Sequence, residues 1–122
     1  MDILLLVFLL MVKHSYADFT IQTYQQTVRK GIYRDPIGIS HSMDHVWTTM
    51  IALLIFSFVH PLNAYTVLAI AAIEGIVHYH IDWIKVRYGL KDQTKPMFWT
   101  QFGLDQLAHH LCYLVITWYI LL

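Results

Sequence analysis

The stretch from Ala72 to Val86, "AIEGIVHYHIDWIKV", places ionisable side chains inside an apolar segment. Within lipid each such group must face protein, water or an ion, because the bilayer core does not solvate charge. The whole chain has a composition typical of lipid contact, since 57% of its residues are hydrophobic and 13% are charged. An average soluble domain is about 25% charged. A soluble domain of 122 residues would expose too much apolar surface at this composition.

Four apolar segments are long enough to cross a bilayer, which takes about 20 helical residues. They are residues 3–23, 41–59, 64–86 and 99–122. Only "HPLN" separates the second segment from the third, so these two helices are expected to be antiparallel neighbours. The sequence therefore predicts one all-α domain over residues 1–122, a four-helix transmembrane bundle.

Basic residues indicate the orientation, because Lys and Arg concentrate in cytoplasmic loops. They cluster in the loop that contains "VRKGIYRDPIG" and in the loop that contains "RYGLKDQTKP", whereas "HPLN" and both ends of the chain have none. Both termini are thus expected to lie outside, on the side of the membrane away from the cytoplasm. A secretory signal is the rival interpretation, since "ILLLVFLLMV" and "SYA" precede Asp18. The lack of a basic residue before this core argues against cleavage, which would also remove His14.

Each predicted helix carries one polar stripe of residues spaced four apart, which share a helix face. The stripes are His14, Asp18 and Gln22; His41 and His45; Glu74, His78 and Asp82; and Gln101, Asp105 and His109. The order His then Asp in "HSYAD" and "HYHID" reverses in "DQLAH". In an up-and-down bundle this reversal keeps the stripes at one level, so a polar pocket is expected in the cytoplasmic half.

Imidazoles and carboxylates that converge from several helices are typical of metal sites in bundle cores. The predicted ligands are His14, Asp18, His41, His45, His78, Asp82, Asp105 and His109. They outnumber the ligands of one tetrahedral ion, so two divalent ions are plausible. Nitrogen and oxygen ligands suit zinc, manganese or iron. The alternative is interhelical hydrogen bonding, but a full layer of such groups is expensive in lipid and favours a metal or proton-linked site.

The sequence also resembles a known family through "HSYADFTIQT", "RKG", "HSMDH", "HYHIDWIK" and "DQLAHH". These motifs are similar to those of small bacterial and phage membrane proteins that form a domain-of-unknown-function family, and more distantly to bacterial proteins described as membrane-bound metal-dependent hydrolases. The resemblance covers residues 14–110 and implies a bacterial inner membrane, with both termini in the periplasm. It implies that the characteristic positions are His14, Asp18, Gln22, His41, His45, His78, Asp82, Lys85, Asp105, Gln106 and His109. Glu74 and Cys112 lie outside the motif.

The function predicted from the pocket is metal-dependent hydrolysis of a phosphoester or related bond, in a lipid or amphipathic substrate at the cytoplasmic face. A metal ion would lower the pKa of a bound water and polarise a phosphoryl oxygen. The candidate general bases are Asp18, Asp105 and Glu74. The candidate substrate-binding residues are Gln22, Lys85, Arg87 and Gln106, with Lys85 and Arg87 holding the anionic group.

Two other functions remain open at this level. The His and Asp groups could bind a transported cation or relay protons, although no ionisable residue continues a route beyond Glu74 into the outer half. The chain could instead be a non-catalytic phage factor that blocks or modulates a host membrane protein. The partners considered are membrane lipid, a host membrane protein and a second copy of the chain in a homo-oligomer. Its net charge of zero gives no indication of nucleic-acid binding, and the single Cys112 excludes an internal disulfide.

Overall fold

The computed structural model describes residues 1–122 and is entirely helical. The elements are α1 (Asp2–Ser15), a π-helical segment (Tyr16–Ile21), α2 (Tyr24–Arg29), α3 (Pro36–Phe56), α4 (Ala64–Tyr88) and α5 (Pro96–Leu121). No strand is present. The predicted all-α class is confirmed.

The first predicted helix is interrupted near its end. α1 passes at Tyr16 into the π-helical segment, and the backbone becomes extended at Gln22. A π-helix bonds residue i to residue i+5, so its wider turn changes which side chains share a face. Short π segments are rare and occur often at functional sites. This segment carries Asp18.

The first basic loop contains a helix that the sequence did not predict. Thr23 and Gln26 form a capping box at the start of α2, which satisfies two free backbone N–H groups reciprocally. Asp35 then caps α3 by accepting hydrogen bonds from the Ile37 and Gly38 backbones, and Pro36 occupies the first turn. These caps explain why α3 begins at Pro36 and not at the predicted residue 41.

The four long helices form a closed ring. α1 packs on α3 and α5, and α4 packs on α3 and α5, with the α3–α4 contact the most extensive. Gly75 permits close approach of α4 to α3, because a Cβ atom at this position would overlap the Val46 side chain. One end of the ring is closed by an apolar core of Leu6, Leu10, Leu53, Phe56, Val67, Ile70 and Tyr113.

The outside of the bundle is apolar. Large hydrophobic side chains are exposed along every long helix, for example Phe8, Leu54, Ile73 and Val115. Two segments, Asp2–Ile21 and Ala64–Tyr88, are long and apolar enough to cross a membrane. This is a property of length and composition that core helices of soluble proteins and signal sequences can share, so the crossing of all four helices and the orientation of the termini stay predictions.

Candidate metal centre

The ionisable side chains meet inside the ring of long helices, next to the apolar core. Two groups of side chains could each hold a metal ion, because the donor atoms within each group lie within 4.8 Å of one another. The first group is Asp18, His41, His45 and His78, and the second is His78, Asp82 and His109. None of these side chains is more than 6% exposed. Buried His and Asp groups that could hold a metal ion are therefore present.

Several pairs of donor atoms are separated by the distance expected between two ligands of one ion. Asp18 Oδ1 lies 2.9 Å from His45 Nε2 and 3.2 Å from His41 Nε2. Asp82 Oδ2 lies 3.2 Å from the Nε2 atoms of both His41 and His78. Tetrahedral ligands with bonds of about 2.0–2.1 Å are separated by about 3.3 Å. An ion between these atoms would need little rearrangement of the side chains.

Several buried atoms in this cluster have no hydrogen-bond partner. They are both ring nitrogens of His78, His109 Nε2 and Asp105 Oδ1. Buried polar atoms are almost always paired, so these unpaired atoms are available as ligands to an ion. The ring of His78 also stacks between two others, with centroids 3.4 Å from His45 and 4.0 Å from His109. The ligands thus fit a metal ion in chemistry as well as in spacing.

Two of the predicted ligands lie beside the groups and not within them. His14 Nδ1 lies 2.8 Å from the hydroxyl oxygen of Tyr113, and its Nε2 lies 3.3 Å from Asp18 Oδ2. Asp105 Oδ1 lies 3.7 Å from His109 Nε2. His14 is thus placed to orient Asp18, and Asp105 is placed at the edge of the cluster.

The two predicted glutamines also contact ligands. Gln22 Nε2 lies 2.9 Å from His41 Nε2. The side-chain amide of Gln106 donates to Asp105 Oδ2 at 3.2 Å, and its oxygen lies 3.0 Å from His14 Nε2. Both glutamines therefore position neighbouring side chains in addition to any contact with a substrate.

Glu74 lies on the opposite side of the imidazoles from Asp18 and Asp82. Its Oε1 is 3.7 Å from His78 Nδ1 and accepts a hydrogen bond from Lys13 Nζ at 2.8 Å. Thr49 donates to its other oxygen at 3.0 Å. A carboxylate behind a metal-binding histidine fixes the orientation of the ring. The contacts of Glu74 suit this orienting role better than the predicted role of general base.

The site also contains two buried lysines that the sequence did not predict there. Lys13 pairs with Glu74, and Lys30 Nζ lies 3.0 Å from Asp82 Oδ2. Their side chains are 5% and 7% exposed. The available signal for Lys13 was its place inside an apolar segment, where a lysine needs a partner. Lys30 follows α2, and its loop position concealed its burial.

A cavity of about 330 Å³ adjoins the cluster. It is lined by Asp18, Phe19, Gln22, Thr27, Lys30, Lys85, Gln93, Phe98, Trp99, Phe102, Asp105 and Gln106. The cavity brings together four predicted functional groups, namely two carboxylates and two glutamines, with the predicted anion-binding residue Lys85. Arg87 is exposed and does not line this cavity.

Comparison with curated proteins and with solved structures gave no match. The protein family described as "Protein of unknown function (DUF3307)" matches residues 5–122. This match covers nearly the whole chain, as the sequence resemblance predicted, while phage origin and likeness to hydrolases stay predictions. The chain therefore belongs to the DUF3307 family.

Proposed function

We propose that the chain is a membrane-embedded hydrolase that uses two divalent transition metal ions. The observation that carries this proposal is the cavity beside the buried ligand groups, lined by Asp18 and Asp105. A metal that served only to hold helices together would need no such space. Structural metal sites are closed, whereas catalytic sites keep a position open for water or substrate.

The ligands divide into two sets of the same composition. His78 approaches both groups with the same atom, Nε2, which cannot bind two ions at once. With His78 assigned to the second group, the first is Asp18, His41 and His45 and the second is His78, Asp82 and His109. Each then has two imidazoles and one carboxylate. Three protein ligands of this type are typical of catalytic metal sites with an open position.

The buried charges favour the binding of cations. Four carboxylates that are no more than 6% exposed surround the cluster, namely Asp18, Glu74, Asp82 and Asp105. Only Lys13 and Lys30 are buried cations in contact with them. With neutral imidazoles, one divalent ion would balance the remaining charge, and a second would make the site attractive to an anionic substrate.

Asp105 is the best placed general base. Its Oδ1 is buried without a hydrogen-bond partner, and the residue lines the cavity. Asp18 Oδ1 is instead in contact with His41 and His45, and Glu74 is paired with Lys13. The bound ions would supply Lewis acidity and activate a water for attack on a phosphoester or related bond. Asp105 would accept the proton of that water.

The apolar exterior supports a four-helix transmembrane bundle, and the basic residues of two loops favour an orientation with both termini outside. In this orientation the cavity opens toward the basic loops on the cytoplasmic side, where a lipid or amphipathic substrate would enter. Ion transport is the weaker alternative, because the polar cluster ends at the Glu74 layer. Beyond that layer the apolar core, including Leu10, Leu53 and Phe56, would block a hydrated route.

The metal content of the purified protein tests this proposal. Protein purified without chelator is expected to contain two equivalents of zinc, manganese or iron, measured by mass spectrometry of the elements. Asp82→Ala should lower the content. His80→Ala is the matched control, because His80 is exposed on the same helix and its ring nitrogens contact only Ile76 O and the Tyr33 hydroxyl, outside the cluster. Absence of metal after metal-replete growth, or equal content in the two variants, would refute the metal centre.

Catalysis is tested by separating metal binding from turnover. Asp105→Asn is expected to keep the fold and the metal and to lose hydrolysis of bis(p-nitrophenyl) phosphate by at least about tenfold, since proton transfer typically contributes 10²–10⁴-fold. If every variant that retains metal and fold behaves like wild type, or if wild type has no activity on phosphoesters, the metal has a structural role and the hydrolase proposal fails.

A further inference from the structure

Lys85 is a cation without an anion. Its side chain is half-buried at the wall of the cavity, and its ammonium group lies 5.2 Å from the centre of the Phe102 ring. It forms no ion pair with a carboxylate, in contrast to Lys13 and Lys30. Because this ammonium group has no carboxylate partner, it is available to an anionic ligand in the cavity, and a hydrogen bond between two charged groups is stronger than one between neutral groups.

Lys30 supplies a second cation to the same cavity. Its ammonium group lies 3.0 Å from Asp82 Oδ2, and Asp82 belongs to the second ligand group. An ion on Asp82 would occupy that carboxylate and leave Lys30 without its partner. Because Lys30 also lines the cavity, its charge would then be available to a ligand there. Metal binding and anion binding are therefore expected to support each other.

The cavity is large enough for a lipid head group, and aromatic side chains typical of the membrane–water interface form part of its wall. Its volume of about 330 Å³ is at the small end of the range of about 300–1,000 Å³ for ligand pockets. Aromatic side chains form part of its wall, and two of them, Phe19 and Trp99, are 62% and 57% exposed. The Trp99 indole donates to the backbone oxygen of Gln93, which also lines the cavity. Tryptophan is enriched at the interface between membrane and water, which is the location expected for Trp99.

We propose that this cavity binds the phosphate group of an amphiphile, with Lys30 and Lys85 on the phosphate oxygens and the apolar chain leaving past Phe19 and Trp99 into the membrane. This assignment rests on the proposed metal centre only for the release of Lys30 from Asp82. It replaces Arg87 by Lys30 in the anion-binding pair. The shared ligand chemistry is a phosphate group, and its two possible sources are a lipid head group and free phosphate.

Binding of dodecylphosphonate and of inorganic phosphate distinguishes these sources. Each is titrated into zinc-loaded protein in a non-ionic detergent, with ³¹P NMR as the readout and dodecanol as an uncharged competitor. Dodecylphosphonate is expected to bind at least about tenfold more tightly than phosphate, because the aromatic wall holds its chain. Equal affinities would overturn the amphiphile and leave free phosphate as the ligand. Displacement by dodecanol at equal concentration would overturn the role of the phosphate group.

Lysine variants locate the site. Lys85→Met is expected to weaken dodecylphosphonate binding about tenfold, the cost of about one charge-assisted hydrogen bond. Lys91→Met is the matched control, because Lys91 is exposed in the adjoining loop. Lys30→Met tests the second cation, with the melting temperature measured alongside since Asp82 loses its partner. Unchanged binding in Lys85→Met would overturn the proposed site.

The metal content separates this inference from the proposed function. If the protein binds phosphonate through Lys85 but contains no metal, the hydrolase proposal fails while the anion site stands. If the protein contains metal but binds phosphonate equally well after Lys85→Met and Lys91→Met, the anion site fails while the metal centre stands. Binding of phosphonate should also tighten on zinc loading in wild type, and this effect should be lost in Lys30→Met.

Discussion

Replacement of Lys13 by methionine removes one partner of the more buried of the two lysine–carboxylate pairs. The ammonium group lies 2.8 Å from Glu74 Oε1, and the two side chains are 5% and 2% exposed. Methionine keeps most of the length and apolar contact of the lysine stem, so the main change is the loss of charge. Glu74 would keep its hydrogen bonds from Thr49 and Tyr113, but it would have no cation beside it.

The expected cost is about 3–5 kcal/mol, the usual effect of leaving one member of a buried ion pair uncompensated. The remaining hydrogen bonds to Glu74 place the value near the lower end, about 3 kcal/mol. The double variant Lys13→Met/Glu74→Gln should recover most of this loss, because the amide is neutral and still accepts a hydrogen bond from Thr49. The energies of the two single changes should therefore not add.

Unfolding of chelator-treated protein in mixed micelles, with increasing dodecyl sulfate, measures these free energies without a contribution from metal. Lys91→Met is the control and should change the stability by no more than about 0.5 kcal/mol, since Lys91 is exposed. A loss below about 1 kcal/mol for Lys13→Met would show that Glu74 does not depend on the lysine. If the double variant is no more stable than Lys13→Met, the loss comes from packing of the lysine stem and not from the unpaired charge of Glu74.

Three further predictions concern other parts of the chain. Hydrogen bonds from Arg29 and from the start of α3 lower the pKa of Asp35 to about 2, against about 3.9 in an unfolded chain. The contribution of Asp35 to stability is therefore complete above about pH 4 and is lost as the pH falls toward 2. A measurement of stability against pH should show this loss in wild type and not in Asp35→Asn. A reporter enzyme that works only in the periplasm should be active when it is fused after Leu122. If a reporter that works only in the cytoplasm is active in a fusion that has inserted into the membrane, the predicted orientation is wrong. Gly75→Ala should lower the melting temperature because the new methyl group meets Val46, and adding Val46→Ala should restore part of the loss.

The convergence of the polar stripes could be predicted because it depends on two simple periodicities. Residues four apart lie on one face of a helix, and consecutive helices in a short-loop bundle run in opposite directions. The reversed order of "HYHID" and "DQLAH" therefore maps to one layer, and the structure places His78, Asp82 and His109 together there. No knowledge of side-chain contacts was needed for this step.

The rest depended on contacts between residues distant in sequence. The π-helical segment that carries Asp18 has no local sequence signal. Lys30 appeared to be a loop charge, but α2 folds back and brings it to Asp82, which is 52 residues later. Arg87 and Lys85 looked equivalent, whereas only Lys85 reaches the cavity. Spacing along one helix predicts a face, but it does not predict which loop residue will reach that face.

The two buried lysines also bear on what a metal would do for the fold. Glu74 and Asp82 each have an ammonium partner in the absence of an ion, and Asp18 is surrounded by imidazoles that can share a proton with it. The bundle can therefore fold before a metal binds, because none of these carboxylates is left without a partner. A metal site that only joined helices would not need such partners. Metal would add stability by mass action on a fold that already exists. A preformed site with a cavity beside it is the arrangement that turnover needs, because ligands must stay in place while substrate and product exchange.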